Sequence, residues 1–210
     1  MRLLIIKLTS MGDVLFTLSC ITDIKVQRPE CQIDWVVDEE FAGLVQFHGG
    51  IDQVFALPLR RFSRARGMSD RFRDLAQVIQ TFFAIRRQRY DLLIDMQGVI
   101  KSAVVSRLAR SSQRWTYTAP HLESPRLARL YTHFWEPERN LPAVFQYRVF
   151  AGVALGYTPH LSQTQFAFKK ESALASAAIS SQHAKPGSTA LLVPFSSKEA
   201  KQLDNQGMSV

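Results

Sequence analysis

Across residues 3–109, short and nearly uninterrupted apolar runs alternate with segments of helical length. The first run, Leu3–Leu8, closes on the turn-like Thr9-Ser10-Met11-Gly12. A strand covered on both faces reads this way, because neither face can carry polar side chains. Asp13 opens a segment in which Val14, Leu18 and Ile21 recur at helical spacing, with Lys25 and Arg28 late and Pro29 as its stop. Gln32–Val37 then reads as a second strand, Glu39–His48 as a helix, and Gln53–Leu57 as a third strand closed by Pro58. Past an arginine-rich loop, Leu75, Val78, Ile79 and Phe82 fall on one face of a helix over Met68–Arg89, with Phe82 and Phe83 assigned to the core. Asp91–Asp95 is a fourth strand and Val99–Ala109 a helix. Parallel neighbours need long crossovers, so this alternation predicts an α/β class fold, a Rossmann-like parallel sheet with helices on both sides.

Beyond Ser111 the pattern weakens. Trp115–Thr118 reads as a strand, and Pro125–Thr132 and Leu141–Leu155 as helices. Ala173–Ser181 is rich in Ala and Ser, residues 182–188 contain Pro186-Gly187, and Thr189–Pro194 begins a new strand. The expected organisation is a domain over 1–181, a linker over 182–188, and the first strand and loop of an incomplete second domain over 189–210. A chain of 210 residues suits one full domain and part of another.

Charge separates the chain into unequal parts. Between Arg60 and Arg114 stand twelve Arg and one Lys against four acids, while the rest of the chain is close to neutral. The whole excess of +8 therefore sits in about a quarter of the sequence, densest at Arg60-Arg61-Phe62-Ser63-Arg64-Ala65-Arg66. Guanidinium forks suit bidentate contacts to phosphate or carboxylate, so an anionic partner is implied, against the simpler reading of a solvated face. On the binding reading, replacing Arg60 and Arg61 with Ala weakens binding of the anionic partner while stability changes by no more than about 0.5 kcal/mol; unchanged affinity would favour the simpler reading. Nucleic acid is not the expected partner, since the segment lacks aromatic side chains interleaved for base stacking. No apolar run reaches the roughly 18 residues of a membrane span, and the N-terminus lacks the cleavage site of a signal peptide, which places the protein in the cytoplasm. Cys20 and Cys31 lack metal or redox spacing, and His48, His121, His133, His160 and His183 lack ligand spacing, so neither a metal nor a cofactor is expected.

In an open parallel sheet, ligands bind beyond the carboxyl ends of the strands. Two loops there carry chemistry. In Thr9-Ser10-Met11-Gly12-Asp13, Gly12 allows a close backbone approach, and free N–H groups at the helix start favour an anion. Asp13 reads either as a helix N-cap or as a general base. Neither loop carries a dinucleotide or P-loop fingerprint. In Asp95-Met96-Gln97-Gly98, Gln97 can donate and accept hydrogen bonds, Gly98 permits a tight turn, and Lys101 brings a cation to the same rim.

Four stretches, Lys7-Leu8-Thr9-Ser10-Met11-Gly12-Asp13-Val14, Asp34-Trp35-Val36-Val37, Arg60-Arg61-Phe62 and Asp95-Met96-Gln97-Gly98-Val99-Ile100-Lys101-Ser102-Ala103, closely resemble the heptosyltransferase I group of glycosyltransferase family 9. The resemblance runs in order over residues 1–201. It implies the GT-B arrangement, in which two Rossmann-like domains face a cleft, with this chain supplying the N-terminal acceptor domain. It implies transfer of L-glycero-D-manno-heptose from ADP-heptose to the Kdo sugar of the lipopolysaccharide inner core, with inversion. Asp13 matches the family's catalytic base. Ser10, Gly12, Arg60, Arg61, Arg64, Gln97 and Lys101 fall at or beside acceptor-binding positions, and Ser196, Ser197 and Lys201 at positions that approach the donor phosphates. The implied partners are Kdo-lipid A, ADP-heptose and, peripherally, the cytoplasmic face of the inner membrane.

The segment Gln202–Val210 does not resemble the family, and the expectation is a reading frame that is shifted or ends early, leaving the second domain largely missing. Positioning two reactants is worth roughly 7–11 kcal/mol of a bimolecular barrier, so a chain without its donor domain is expected to be inactive alone. The competing readings are a non-catalytic module that binds anionic glycolipid, or one half of a split enzyme.

Overall fold

A computed structural model describes residues 1–64, 67–162 and 164–167, apart from the side chain of Arg64. The expected linker and the segment 189–210 lie outside the described residues, as does the boundary placed at 181.

Six strands form one sheet: β1 (Arg2–Ile6), β2 (Gln32–Asp38), β3 (Gln53–Leu57), β4 (Arg89–Asp95), β5 (Arg110–Tyr117) and β6 (His133–Trp135). Their order is β3-β2-β1-β4-β5-β6, and every pairing is parallel. Chain direction reverses its march across the sheet between β1 and β4, which opens a crevice at their carboxyl ends.

Side chains alternate across β1. Leu3 and Ile5 face one core with Ile33, Trp35 and Ile94, while Leu4 and Ile6 face the other with Val36 and Leu93. Leu3, Leu4, Ile5 and Ile6 are fully buried, at roughly 1.5–3 kcal/mol apiece, which is why none of these four positions is polar. Helix α1 (Met11–Gln27) and helix α6 (Ala143–Leu155) cover the first face. Helices α4 (Met68–Arg87) and α5 (Ile100–Leu108) cover the second, through Ile85 and Val105. Helix α2 (Glu39–Gln46) follows β2, and the short α3 (Leu59–Arg64) follows β3.

Several expectations need correction. The arginine-rich segment begins as helix, because the Pro58 carbonyl accepts the Phe62 N–H at 2.8 Å and Asp38 accepts the Arg60 N–H at 3.1 Å. On α4 the inward residues are Asp74 and Ile85, with Val78 and Phe82 partly buried, whereas Leu75, Ile79 and Phe83 are exposed. Apolar residues extend around more than one face of that helix, so periodicity alone misassigned Phe83 to the core. Strand β5 starts five residues before the predicted Trp115, and β6 has too few residues to carry a pattern. Pro125–Leu130 is a 3₁₀ helix rather than an α-helix.

Candidate active site

The loops after β1 and β4 are stitched together by one side chain. Gln97 Oε1 accepts the N–H groups of both Leu8 and Thr9 at 3.1 Å. Beneath it the fully buried Asp95 carboxylate accepts Gln97 N–H at 2.8 Å, Gly98 N–H at 3.1 Å and the Tyr131 hydroxyl. Burial pushes the Asp95 pKa up, and these hydrogen bonds only partly counter it. Gly98 has φ of 68°, and a Cβ there would meet Tyr117 Cδ2 at 3.1 Å, so glycine is required on two counts. Gly12 differs. It lies in the first turn of α1 without a positive φ, and a Cβ would meet nothing within 4 Å. The tight backbone turn expected at Gly12 is absent, because α1 starts earlier than Asp13.

Ser10 is the N-cap of α1, which makes Asp13 its third residue rather than the cap itself. Asp13 Oδ2 accepts the Ser10 N–H at 3.2 Å and the Ser10 hydroxyl at 3.0 Å, so it reaches back over the helix start. Its other oxygen, Oδ1, accepts the Tyr147 hydroxyl at 2.9 Å. Lys7 Nζ donates to Tyr147 Oη at 3.0 Å and to the Met96 carbonyl at 3.0 Å, completing a chain from a buried ammonium through a phenol to the carboxylate. Burial opposes ionisation of Asp13, but the Lys7 charge and the Ser10 and Tyr147 hydrogen bonds outweigh it and hold its pKa below the usual carboxylate value. Burial also lowers the Lys7 pKa against the pull of Asp13 and Asp95. The carboxylate at the β1 corner is therefore ionised at neutral pH, fixed by two α1 contacts and by Tyr147 of α6.

Next to these loops lies a cleft of about 500 Å³, lined among others by Thr9, Asp38, Arg60, Gln97, Lys101 and Glu123. Asp38 is fully buried and caps two helices at once, accepting Glu40 N–H at 3.2 Å and Arg60 N–H at 3.1 Å. Arg60 reaches the cleft with its guanidinium 5.1 Å from the Phe41 ring centre and 2.6 Å from Glu40. Glu123 accepts the Ile100 N–H at 2.6 Å and so occupies the N-terminus of α5. Lys101 is exposed.

The structure thus brings Arg60, Gln97 and Lys101 to one cleft, and Ser10 with Asp13 to the adjoining corner. Arg61 is not part of the cleft lining. It bonds Asp74 at 2.8 Å, Glu39 at 3.0 Å and Gln77, and Asp74 is fully buried. The expectation that Arg61 is a free surface cation is overturned: it neutralises a carboxylate under α4. The side chain of Arg64, and Ser196, Ser197 and Lys201, lie outside the described residues. Lys7, Asp38, Glu123 and Tyr147 were not singled out for the site in the sequence. Lys7 and Asp38, polar residues at the ends of otherwise apolar strands, carried a usable signal; Tyr147, distant in sequence from Asp13, carried none.

The strand order and the crevice at the β1/β4 reversal define an α/β protein of the doubly wound kind. Residues 78–207 match Glycosyltransferase family 9 (heptosyltransferase), and the chain belongs to that family. It is 34% identical over 173 residues to lipopolysaccharide heptosyltransferase 1 of Salmonella typhimurium, covering 81% of this chain and 53% of the relative. It is 32% identical over 174 residues to the protein of that name from Escherichia coli strain K12, covering 80% and 51%. Among solved structures, E. coli heptosyltransferase WaaC with ADP superimposes with a TM-score of 0.71 at 31% identity, over 80% of this chain and 51% of that one. The chain spans about half the length of the curated relatives it matches.

Proposed function

We propose that this chain forms the acceptor-binding part of a transferase that moves L-glycero-D-manno-heptose from ADP-heptose onto Kdo of the lipopolysaccharide inner core, with inversion. The observation that carries the reading is the ionised Asp13 carboxylate at the β1 corner, beside a cleft that Arg60 and Lys101 enter. In this mechanism the Kdo hydroxyl oxygen attacks the anomeric carbon, the bond to the ADP oxygen breaks, and Asp13 takes the hydroxyl proton. A carboxylate with a low pKa serves here because the hydroxyl becomes strongly acidic only as its bond to carbon forms. Arg60 and Lys101 offer donors to the acceptor's carboxylate or phosphates, with Ser10, Gly12 and Gln97 at the rim. Ser196, Ser197 and Lys201 are proposed for the donor phosphates on the strength of their sequence pattern, as is Arg64 for the acceptor.

The proposed setting is the cytoplasmic face of the inner membrane. Support comes from α4, where Met68, Phe72, Leu75, Ile79 and Phe83 recur at helical spacing and are all exposed. An apolar stripe beside basic residues suits a peripheral contact with lipid. Among the described residues no helix is long and apolar enough to cross a membrane.

The test joins residues 1–201 to the remaining half of the Salmonella relative and follows heptose transfer to Kdo-lipid A by mass shift. Asp13→Ala is expected to lower turnover roughly 10²–10⁴-fold while acceptor binding stays within twofold. Turnover that survives the substitution leaves Asp13 as a helix-start residue and sinks the reading.

A further inference from the structure

At the other end of the sheet, where β4 and β5 begin and α4 and α5 finish, the surface forms an open basin of about 750 Å³. Arg86, Arg89, Arg107, Arg110 and Arg114 line it, with Asp91 as its one carboxylate. Arg86 and Arg114 are fixed by helix-end carbonyls. Arg86 donates to Leu108 O at 3.2 Å, and Arg114 to Ser106 O and Ala109 O at 3.1 Å. The guanidiniums of Arg89, Arg107 and Arg110 are exposed and make no hydrogen bond or ion pair among the described residues. Asp91 is already engaged, accepting the Arg2 N–H at 2.7 Å.

Several cations elsewhere in the fold are paired with acids. Arg2 pairs with Asp34, Lys25 with Asp52, Arg60 with Glu40, Arg61 with Asp74, and Arg148 with Asp23. Exposed cations without an ion pair also stand elsewhere among the described residues, at Arg87, Lys101, Arg126 and Arg129, but here five arginines converge on one concavity with no carboxylate among them but Asp91. Arg107 and Arg114 both line the basin, and burial and the field of Arg107 lower the Arg114 pKa. Like charges held this near favour an anion that spans several of them.

We propose that this basin is a second ligand site, which binds groups bearing two or more phosphates. Arg86 and Arg114 form its preset walls, and Arg89, Arg107 and Arg110 are the arms that close on the anion. The seven residues of β4 separate it from the cleft by about 20 Å, so one small ligand cannot occupy both. The site does not rest on the proposed heptose transfer. The phosphates can belong to a soluble ligand or to lipid headgroups, and the shared chemistry is the paired oxyanion.

The 210-residue chain is titrated calorimetrically with pyrophosphate and tripolyphosphate against chloride of matched ionic strength. In parallel it is floated with vesicles of cardiolipin, whose headgroup carries two phosphates, and with phosphatidylcholine vesicles. Arg107→Gln/Arg110→Gln, and separately Arg89→Gln, are expected to weaken the binding of whichever phosphate probe the wild type takes by about tenfold or more. Arg129→Gln, an exposed arginine of the 3₁₀ helix that lines neither the basin nor the cleft, is expected to change it less than twofold. Melting temperatures check that each variant is folded, and with two independent variants the test survives the loss of one. Binding of polyphosphate assigns a soluble ligand, and binding of anionic vesicles alone assigns headgroups; either supports the site. The proposal is overturned if neither probe binds above matched chloride, if the basin variants keep wild-type affinity, or if Arg129→Gln weakens binding equally.

Discussion

The two ends of this sheet use the same residue type in opposite ways. At the carboxyl end, Arg60 and Arg61 lie against Glu40, Glu39 and Asp74, and the catalytic candidate there is an acid. At the amino end, Arg89, Arg107 and Arg110 have no carboxylate partner among the described residues. Both groups belong to the same basic stretch of sequence, yet only three-dimensional placement tells which positive charge is already spent and which is available. The dense run at Arg60–Arg66, which a composition argument selects first, contributes one described guanidinium to the cleft. The arginines spread thinly between positions 86 and 114 gather into the more cationic surface.

Removing one arginine from each end sharpens the contrast most. Arg61→Gln strips the closest partner from Asp74, which is fully buried and has Oδ2 already without a hydrogen-bond partner, leaving Arg73 at 3.7 Å. Unpairing a buried charge costs several kcal/mol, and the partial exposure of Arg61 reduces this to about 1–3 kcal/mol. Arg110→Gln removes an exposed cation among like charges and should stay within about 0.5 kcal/mol of wild type. Urea denaturation of both variants checks the pair, and equal losses would erase the distinction between the two ends.

The Lys7–Tyr147–Asp13 chain gives the carboxyl end its own pH signature. The Asp13 pKa is lower in the folded than in the unfolded state, so its contribution to stability is complete above the unfolded value and is lost as pH falls through the folded one. Lys7 acts in the other direction. With its folded pKa lowered, the unfolded chain holds the proton more tightly, and stability rises with pH through the window below the ordinary lysine value. Lys7→Met should raise the Asp13 pKa, flatten the loss of stability in acid and abolish the alkaline gain. Carboxyl-carbon NMR titration of Asp13, with melting curves against pH, reads all three. An unmoved Asp13 pKa would show that the ammonium does not act on the carboxylate.

What the sequence made legible follows from distance along the chain. The strands β1 to β4 and the helices α1, α2 and α4 were readable because burial leaves a local mark on each segment, whereas α3 was read as loop. Gly98 was readable for a similar reason, since a positive φ restricts residue type at that position alone. The inward face of α4 was not readable, because its apolar residues cover more than the buried face and only the sheet decides which are covered. Nor was Tyr147, which touches Asp13 from 134 residues away. Arg61 was misread for the complementary reason: its buried partner Asp74 is 13 residues on, inside a segment that looks solvated.

The smallest effect expected falls on Gly12, and set beside Gly98 it separates folding from binding at the proposed acceptor rim. Gly98→Ala forces a Cβ onto a backbone with φ of 68° and against Tyr117, a cost of about 1–3 kcal/mol. Gly12→Ala meets open space on a helical turn, where alanine is the better helix former, so stability should rise by about 0.5 kcal/mol. If Gly12 is there for packing of the chain itself, that gain will not appear. If it is there because an acceptor must pass close to the start of α1, the variant will be slightly more stable and will bind Kdo-lipid A more weakly. Melting temperature and acceptor affinity measured on the same sample tell the two apart. A more stable protein with unchanged affinity would remove Gly12 from the site and leave the corner to Ser10 and Asp13.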